Sequence, residues 1–385
     1  MRPARHTRRA RTWAAAAGIA LLAGSLAACG GDAEDTASTS NDGPAAAADG
    51  ELTTALKPLD AYPVPTEKLD KAGSVAGKTI FYIPITKQAP QFTTTEKTLA
   101  AAVKAAGLRL QVCDGKGTPT EIGGCIGQAT DAKAAAIIAD AIPYGLAANG
   151  FDAAQKAGIP VVISNQVPDP AHPASKTLTW IPVPGTEQQT RIFDWIAADA
   201  KGKANILVNQ SSDGPSPAAY VTGGEAALKK SCPDCKLTVN KVTSSNFALV
   251  PSSTSAALLK DPSINYVDAQ FEQYLQPTQG GVQQTSRTDI KVVTGSASLG
   301  GLKALKSGSL AAVTAQAAAF QGWVDTDAAL RLIVGQPVPE YNIPTRLFTK
   351  ENIGDVKLTE EAELSGEWFG PATYTDDFKK LWGVA

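Results

Sequence analysis

The sequence predicts an α/β protein of two doubly wound lobes in tandem, and three observations carry that expectation. From Lys78 onward, short apolar runs alternate with longer amphipathic segments, the pattern of strand–helix units around parallel sheets. A proline-rich stretch from Val167 to Pro184 separates two such series. Roughly 310 residues follow the N-terminal leader and tether, too many for one small core but typical of two linked lobes.

The N-terminus reads as a leader. Arg2, Arg5, Arg8, Arg9 and Arg11 stand there without an acidic residue, and an apolar run from Ala14 to Leu22 follows. That run is shorter than the roughly 20 residues of a membrane-spanning helix, so residues 1–28 are expected to be a signal peptide. Arg8-Arg9 leaves twin-arginine export open beside general secretion. Residues 29–74 are rich in Ala, Asp, Ser, Thr, Gly and Pro, and their composition predicts a disordered tether.

In the first series, strands are expected at Thr79–Ile83, Leu108–Cys113, Ala135–Ala139 and Pro160–Ser164. Helices between them are read near Thr93–Ala106, through Ile122, Ile126 and Ala129, and near Leu146–Lys156. Gly107 and Gly158 stand where helices stop. The second series has strands near Ala204–Val208, Leu237–Val242, Ile264–Asp268, Lys291–Thr294 and Leu310–Ala315. Its helices are read near Thr186–Ala200, Pro217–Lys230, Pro251–Lys260, Tyr274–Ser286 and Leu299–Ser307, with Pro217 and Pro251 suited to a first helical turn.

Charge and cysteine usage narrow the function. The chain carries a net charge of −2, and without the five leader arginines 30 basic residues stand against 37 acidic ones. An acidic exported domain offers no basic stripe for nucleic acid. Cys113, Cys125, Cys232 and Cys235 are even in number, and their spacing favours two local disulfides, Cys113 with Cys125 and Cys232 with Cys235. A four-cysteine zinc site competes, but its first half lacks the C-x-x-C spacing. Gly73–Thr79 approaches a phosphate-binding loop, yet its glycine spacing is one residue short and it precedes a strand.

Two resemblances sharpen this reading. Leu26-Ala27-Ala28-Cys29, followed by Gly30-Gly31, resembles the lipobox of bacterial lipoproteins, which implies acylation of Cys29 and attachment to the outer face of the cell membrane. Ala135–Pro160, running into Ala157-Gly158-Ile159-Pro160-Val161, resembles type 1 periplasmic sugar-binding proteins of the ribose-binding group. Ser216-Pro217-Ala218-Ala219, Leu310–Gln316 and Gly335-Gln336-Pro337-Val338-Pro339 extend the likeness from about Lys78 to Asn352. It implies two Rossmann-like lobes joined by a three-segment hinge. The N-terminal lobe would take 75–182 and regain about 320–344; the C-terminal lobe would take 183–319 and about 345–385. The implied role is a monomeric solute-binding lipoprotein of an ABC importer, partnered by its permease and ATPase, binding a small sugar-like or partly apolar molecule without a cofactor or metal.

Open α/β sheets bind ligands beyond the carboxyl ends of their strands. That rule selects Gln88, Gln91, Phe92, Asp140, Tyr144, Asn165 and Gln166 from the first series. From the second it selects Asp213, Tyr220, Asp268, Gln270, Phe271 and Gln316. Aromatic rings would cover the C–H faces of a sugar, and amides and carboxylates would bond its hydroxyl rim. One departure stands out: sugar binders of this group usually carry an Asp-Arg pair and a further Asp where this chain has Asn165-Gln166 and Ser296-Ala297-Ser298. Two alternatives accompany the importer reading. A lipoprotein of this fold can signal to a membrane receptor or kinase. A glycosidase-like enzyme would need paired carboxylates, and His172, the single histidine after the leader, leaves little for histidine-based catalysis.

Overall fold

The computed structural model describes residues 44–384 apart from Lys71 and Val183. The leader, Cys29 and the first part of the expected tether lie outside the described residues. The chain opens with helix α1 (Pro44–Ala55) and then builds the first lobe. Its elements are β1 (Thr79–Pro84), α2 (Pro90–Ala105), β2 (Arg109–Val112), α3 (Pro119–Asp131), β3 (Ala136–Asp140), α4 (Ala148–Lys156), β4 (Val161–Ser164) and β5 (Leu178–Ile181). The second lobe runs through α5 (Gly185–Asp199), β6 (Asn205–Ser211), α6 (Pro215–Ser231), β7 (Lys236–Val242), α7 (Val250–Lys260) and β8 (Tyr266–Ala269). It continues with α8 (Leu275–Gln284), β9 (Lys291–Thr294), α9 (Leu299–Ser307) and β10 (Ala312–Gln316). Helix α10 (Ala318–Val334), β11 (Thr345–Phe348), α11 (Glu360–Ser365) and α12 (Tyr374–Trp382) complete the chain.

Each lobe holds one sheet. The first is all parallel in the order β2-β1-β3-β4-β5. The second runs β11-β10-β9-β8-β6-β7 and is parallel except where β11 meets β10. Every residue of β3 and β4 is buried, because helices cover both faces of a central parallel strand. Local signals set several boundaries. The Thr118 side chain accepts from the Glu121 amide with Pro119 behind it to start α3, and Gly308 at φ 84° ends α9.

The chain crosses between the lobes three times, at 181–185, 316–318 and 335–344. Helix α10 returns to the first lobe, where every residue from Ala318 to Leu332 is buried. It meets α2 at Gly322, where an added Cβ would stand 2.6 Å from the Leu99 amide nitrogen.

Four expectations need correction. Strand β5 forms inside the proline-rich stretch that reads as connector, because Leu178 and Ile181 complete the sheet edge beside β4. The C-terminal helices do not belong to the second lobe: Trp382 stacks on Trp323 of α10 at 5.5 Å, and Phe320 packs against Tyr374 and Phe378. Asp327 fixes that join by accepting from Trp382 Nε1 at 2.7 Å and pairing with Arg331 at 2.8 Å. The disordered tether is corrected from Leu52 onward. Ala55 packs in the second-lobe core, and the Leu56 carbonyl accepts from Arg346 and Asn352, both at 2.9 Å. Tyr62 then stacks on Phe320 at 4.8 Å, and the Leu69 amide donates to the Leu381 carbonyl at 3.0 Å. This strap therefore touches both lobes. The fourth concerns five site candidates, Gln88, Asp140, Tyr144, Asp268 and Gln270, which lie outside the cleft lining.

Candidate functional site

Both sheets reverse strand order next to their first strand: β1 lies between β2 and β3, and β6 between β7 and β8. The carboxyl ends of these strands face one another across a cleft of about 570 Å³, its open mouth included. Ile85 follows β1, Ala141 follows β3, and Asn165-Gln166 follow β4. On the opposite wall stand Ser211, Asp213, Pro217, Tyr220, Ser244, Phe271, Gln273, Ser296 and Gln316, while Gln91 and Phe92 of α2 complete the first.

Three residues just beyond strand ends adopt left-handed backbone without being glycine: Ala141 at φ 58°, Asn165 at φ 59° and Ser296 at φ 50°. All three line the cleft. Such conformations cost energy and persist where neighbouring structure imposes them. For the first two the ladder imposes it: the Ala141 amide donates to the Ser164 carbonyl at 2.9 Å, and the Asn165 amide to the Ile181 carbonyl at 3.1 Å; the Ser296 amide donates instead to Gln188 Oε1 at 3.0 Å.

The lobes touch across the cleft. Gln316 Nε2 donates to Asn165 Oδ1 at 3.0 Å, and Ser216 Oγ donates to Gln166 Oε1 at 2.8 Å while accepting from the Val167 amide at 3.0 Å. At the rim Gly214 faces Pro143 so closely that an added Cβ would lie 2.4 Å from Pro143 Cγ. This is a closed arrangement.

Its electrostatics are quiet. Asp213 is the acidic residue of the lining, and its oxygens are occupied by donors of its own lobe. Thr243 Oγ1 donates at 2.6 Å, Ser244 Oγ at 2.6 Å, Tyr274 OH at 2.7 Å and the Ser244 amide at 3.0 Å. Burial works to raise its carboxyl, but the hydrogen bonds from Ser244, Thr243 and Tyr274 outweigh that and hold it below the usual range. Lys87, the nearest cation in sequence to the first wall, pairs with Glu96 at 2.8 Å. No lysine, arginine or histidine lines the cleft among the described residues.

Of the thirteen binding candidates, Gln91, Phe92, Asn165, Gln166, Asp213, Tyr220, Phe271 and Gln316 come together in the cleft lining. The other five are corrected. Gln88 lies on the exposed surface. Asp140 is turned back into the first-lobe core, where it accepts from Tyr82 OH at 2.6 Å and from Asn165, and burial raises its carboxyl to about 6. Tyr144 stacks on His172 at 3.8 Å and donates to Asp152, on the far side of its loop. Asp268 is buried beneath the second wall, accepts from Gln189 Nε2 at 2.6 Å, and is raised by burial to about 7. Gln270 braces that wall from behind, accepting from the Ser211 amide at 2.8 Å and donating to the Pro217 carbonyl at 2.7 Å. The strand-end rule selects positions; it does not say which of two neighbouring side chains faces the sheet and which the cleft.

Ile85, Ala141, Ser211, Ser244 and Gln273 line the cleft without having been singled out. The first three sit within a residue of a strand end and were open to the same rule. Ser244 and Gln273 stand on short turns after β7 and β8, where no sequence signal sets their direction. The expected disulfides are both present, Cys113–Cys125 and Cys232–Cys235, with Cα atoms 5.7 and 5.4 Å apart. The first closes the loop whose Gly117 approaches Ser244 across the cleft.

Comparison with known proteins agrees with this geometry. A family model described as a periplasmic binding protein domain matches residues 80–337. No curated protein matches the sequence. Among solved structures, a Mycobacterium smegmatis protein in complex with β-D-fucofuranose is 21% identical, with a TM-score of 0.64, covering 75% of this chain and 97% of that one. A Thermotoga lettingae solute-binding protein in complex with 5-methylthioribose is 18% identical, with a TM-score of 0.65 and coverage of 80% and 98%. An Agrobacterium vitis ABC-transporter solute-binding protein bound to α-D-tagatopyranose is 21% identical, with a TM-score of 0.65 and coverage of 72% and 96%.

Proposed function

The chain belongs to the periplasmic binding protein family, a family of binders and not of enzymes, and from that premise we propose that it is the solute-binding lipoprotein of an ABC importer. It binds a small sugar-like or partly apolar molecule between its lobes, as a monomer held to the outer face of the membrane by lipid on Cys29. The closed cleft carries this reading: strand ends of both lobes converge on it, aromatic rings and amides line it, and hydrogen bonds cross it. The sugars held by the similar proteins support the ligand class. No helix among the described residues is long and apolar enough to cross a membrane, which agrees with attachment through an anchor.

Binding works by closure. A ligand that touches both walls binds the closed form better than the open one, and that difference in affinity shifts the population toward the form that docks on the permease. The test is the melting temperature of the protein against sugars, polyols, nucleosides and small aromatic molecules. A ligand confined to the native state raises stability by about 2.7 kcal/mol at a hundred times its Kd. A shift with one class is expected; no shift with any class overturns the reading. For the anchor, mass spectrometry is expected to find an acylated Cys29 as the mature N-terminus, and an unmodified one removes that part.

A further inference from the structure

The side chains that line the cleft divide into those already engaged and those left for a ligand. Asn165 donates to Asp140 and accepts from Gln316. Gln316 is itself saturated by Gln188, Asn165 and Gln321. Ser211 and Ser244 donate to Asp213, whose carboxylate is filled by these and by Thr243 and Tyr274. What remains is small and neutral: the amides of Gln91 and Gln273, the Gln166 Nε2 not used toward Ser216, and the Ser296 hydroxyl. Gln91 Oε1 is buried without a hydrogen-bond partner, so a donor is wanted there. Around these stand the apolar surfaces of Ile85, Phe92, Ala141, Pro217, Tyr220 and Phe271.

We propose that the cleft selects a neutral, ring-sized molecule with a hydroxylated edge and a deoxygenated or alkyl end, a deoxy- or alkyl-substituted sugar, over its fully hydroxylated parent and over sugar acids. The inference rests on the solute-binding reading and names its ligand class. A hydroxyl that falls against Ile85, Phe92, Pro217 or Phe271 finds no side-chain partner there, in a cleft closed on both sides. Each hydroxyl buried without a partner lowers affinity by about ten-fold, whereas a methyl or methylene against the phenylalanine and isoleucine surfaces raises it. A carboxylate fares worse. With Asp213 held ionised in the lining and no cation there among the described residues, a buried carboxylate meets a like charge and no counter-charge.

The experiment is calorimetric titration of the full-length protein with matched probes. These are glucose, galactose, mannose and ribose, the 6-deoxy forms of the hexoses, the 5-deoxy form of ribose, and the corresponding uronic acids. At least one deoxy probe is expected to bind ten-fold or more tightly than its parent, with no heat from the charged probes. Gln91→Leu is expected to weaken that probe about ten-fold without changing the ligand-free melting temperature. Parents that bind as tightly as their deoxy forms, or a charged probe that binds, overturn the ligand class and leave solute binding standing. Silence from the whole set overturns this inference, and the broader panel above then decides whether solute binding falls with it.

Discussion

At the scale of the residue, the same rule that places side chains at strand ends also buries some of them. Asp268 holds one hydrogen bond, from Gln189, and its Oδ1 is without a partner, so burial raises its carboxyl to about 7. The folded form then binds a proton more readily than the unfolded form between pH of about 4 and 7. Stability contributed by that proton is present at the acid end and is lost as the pH rises through 7. Asp268→Asn is expected to flatten the fall of melting temperature over that range; an unchanged slope would show that Asp268 titrates normally. Gly214 offers a second test. Its backbone is extended, at φ 166°, so any residue fits its conformation, yet a Cβ would collide with Pro143 across the cleft. Gly214→Val is expected to leave the ligand-free melt in place and to weaken ligand binding ten-fold or more, measured by titration. Much of the cleft lining was legible here: Gln91, Phe92, Tyr220 and Phe271 follow from strand-end position and residue type. Asp140 and Gln270 were misplaced because facing is decided by the pleat and by the backbone twist at Ala141 and Asn165, which composition does not encode.

At the scale of the element, periodicity located the helices well where one face alone is buried, as in α2 and α5. It failed where the pattern is short. Strand β5 has four residues between proline-rich turns and is made a strand by pairing with β4. Helix α10 shows a different dependence, since its polar residues Asp325, Asp327 and Arg331 are all buried and find their partners Ser164, Trp382 and the Glu67 carbonyl only in the assembled lobe, with Asp325 Oδ2 left without one. Its contact with α2 depends on Gly322, where a methyl group would stand 2.5 Å from Thr98 Oγ1. Gly322→Ala is expected to cost about 1–3 kcal/mol in chemical denaturation while ligand affinity stays the same. A neutral result would mean that the two helices separate without loss.

At the scale of the whole molecule, the strap from Leu52 to Asp70 ties the second-lobe surface to α10 and α12 of the first. A chain shortened to begin at Ser74 loses the buried Tyr62 ring and its hydrogen bond to the Gly366 carbonyl, a loss of about 3–5 kcal/mol for the aromatic side chain alone. Its melting temperature is expected to fall by many degrees, and an unchanged melt would return this segment to a passive tether. Composition hides the strap because its prolines and polar residues break any helical or strand period, and Ala55, Tyr62 and Leu69 pack against residues far along the chain. Taken by itself, the sequence determined the α/β class, the two strand–helix series, both disulfide pairs and the uncharged residues after β4 and β9, since each is written in local spacing or residue type. Tertiary structure alone decided which strand-end side chains enter the cleft, that Asp213 is consumed by its own lobe, and that the C-terminal helices and the strap close over α10. Those outcomes depend on contacts between residues far apart in the chain, whose geometry exists only once both lobes are packed.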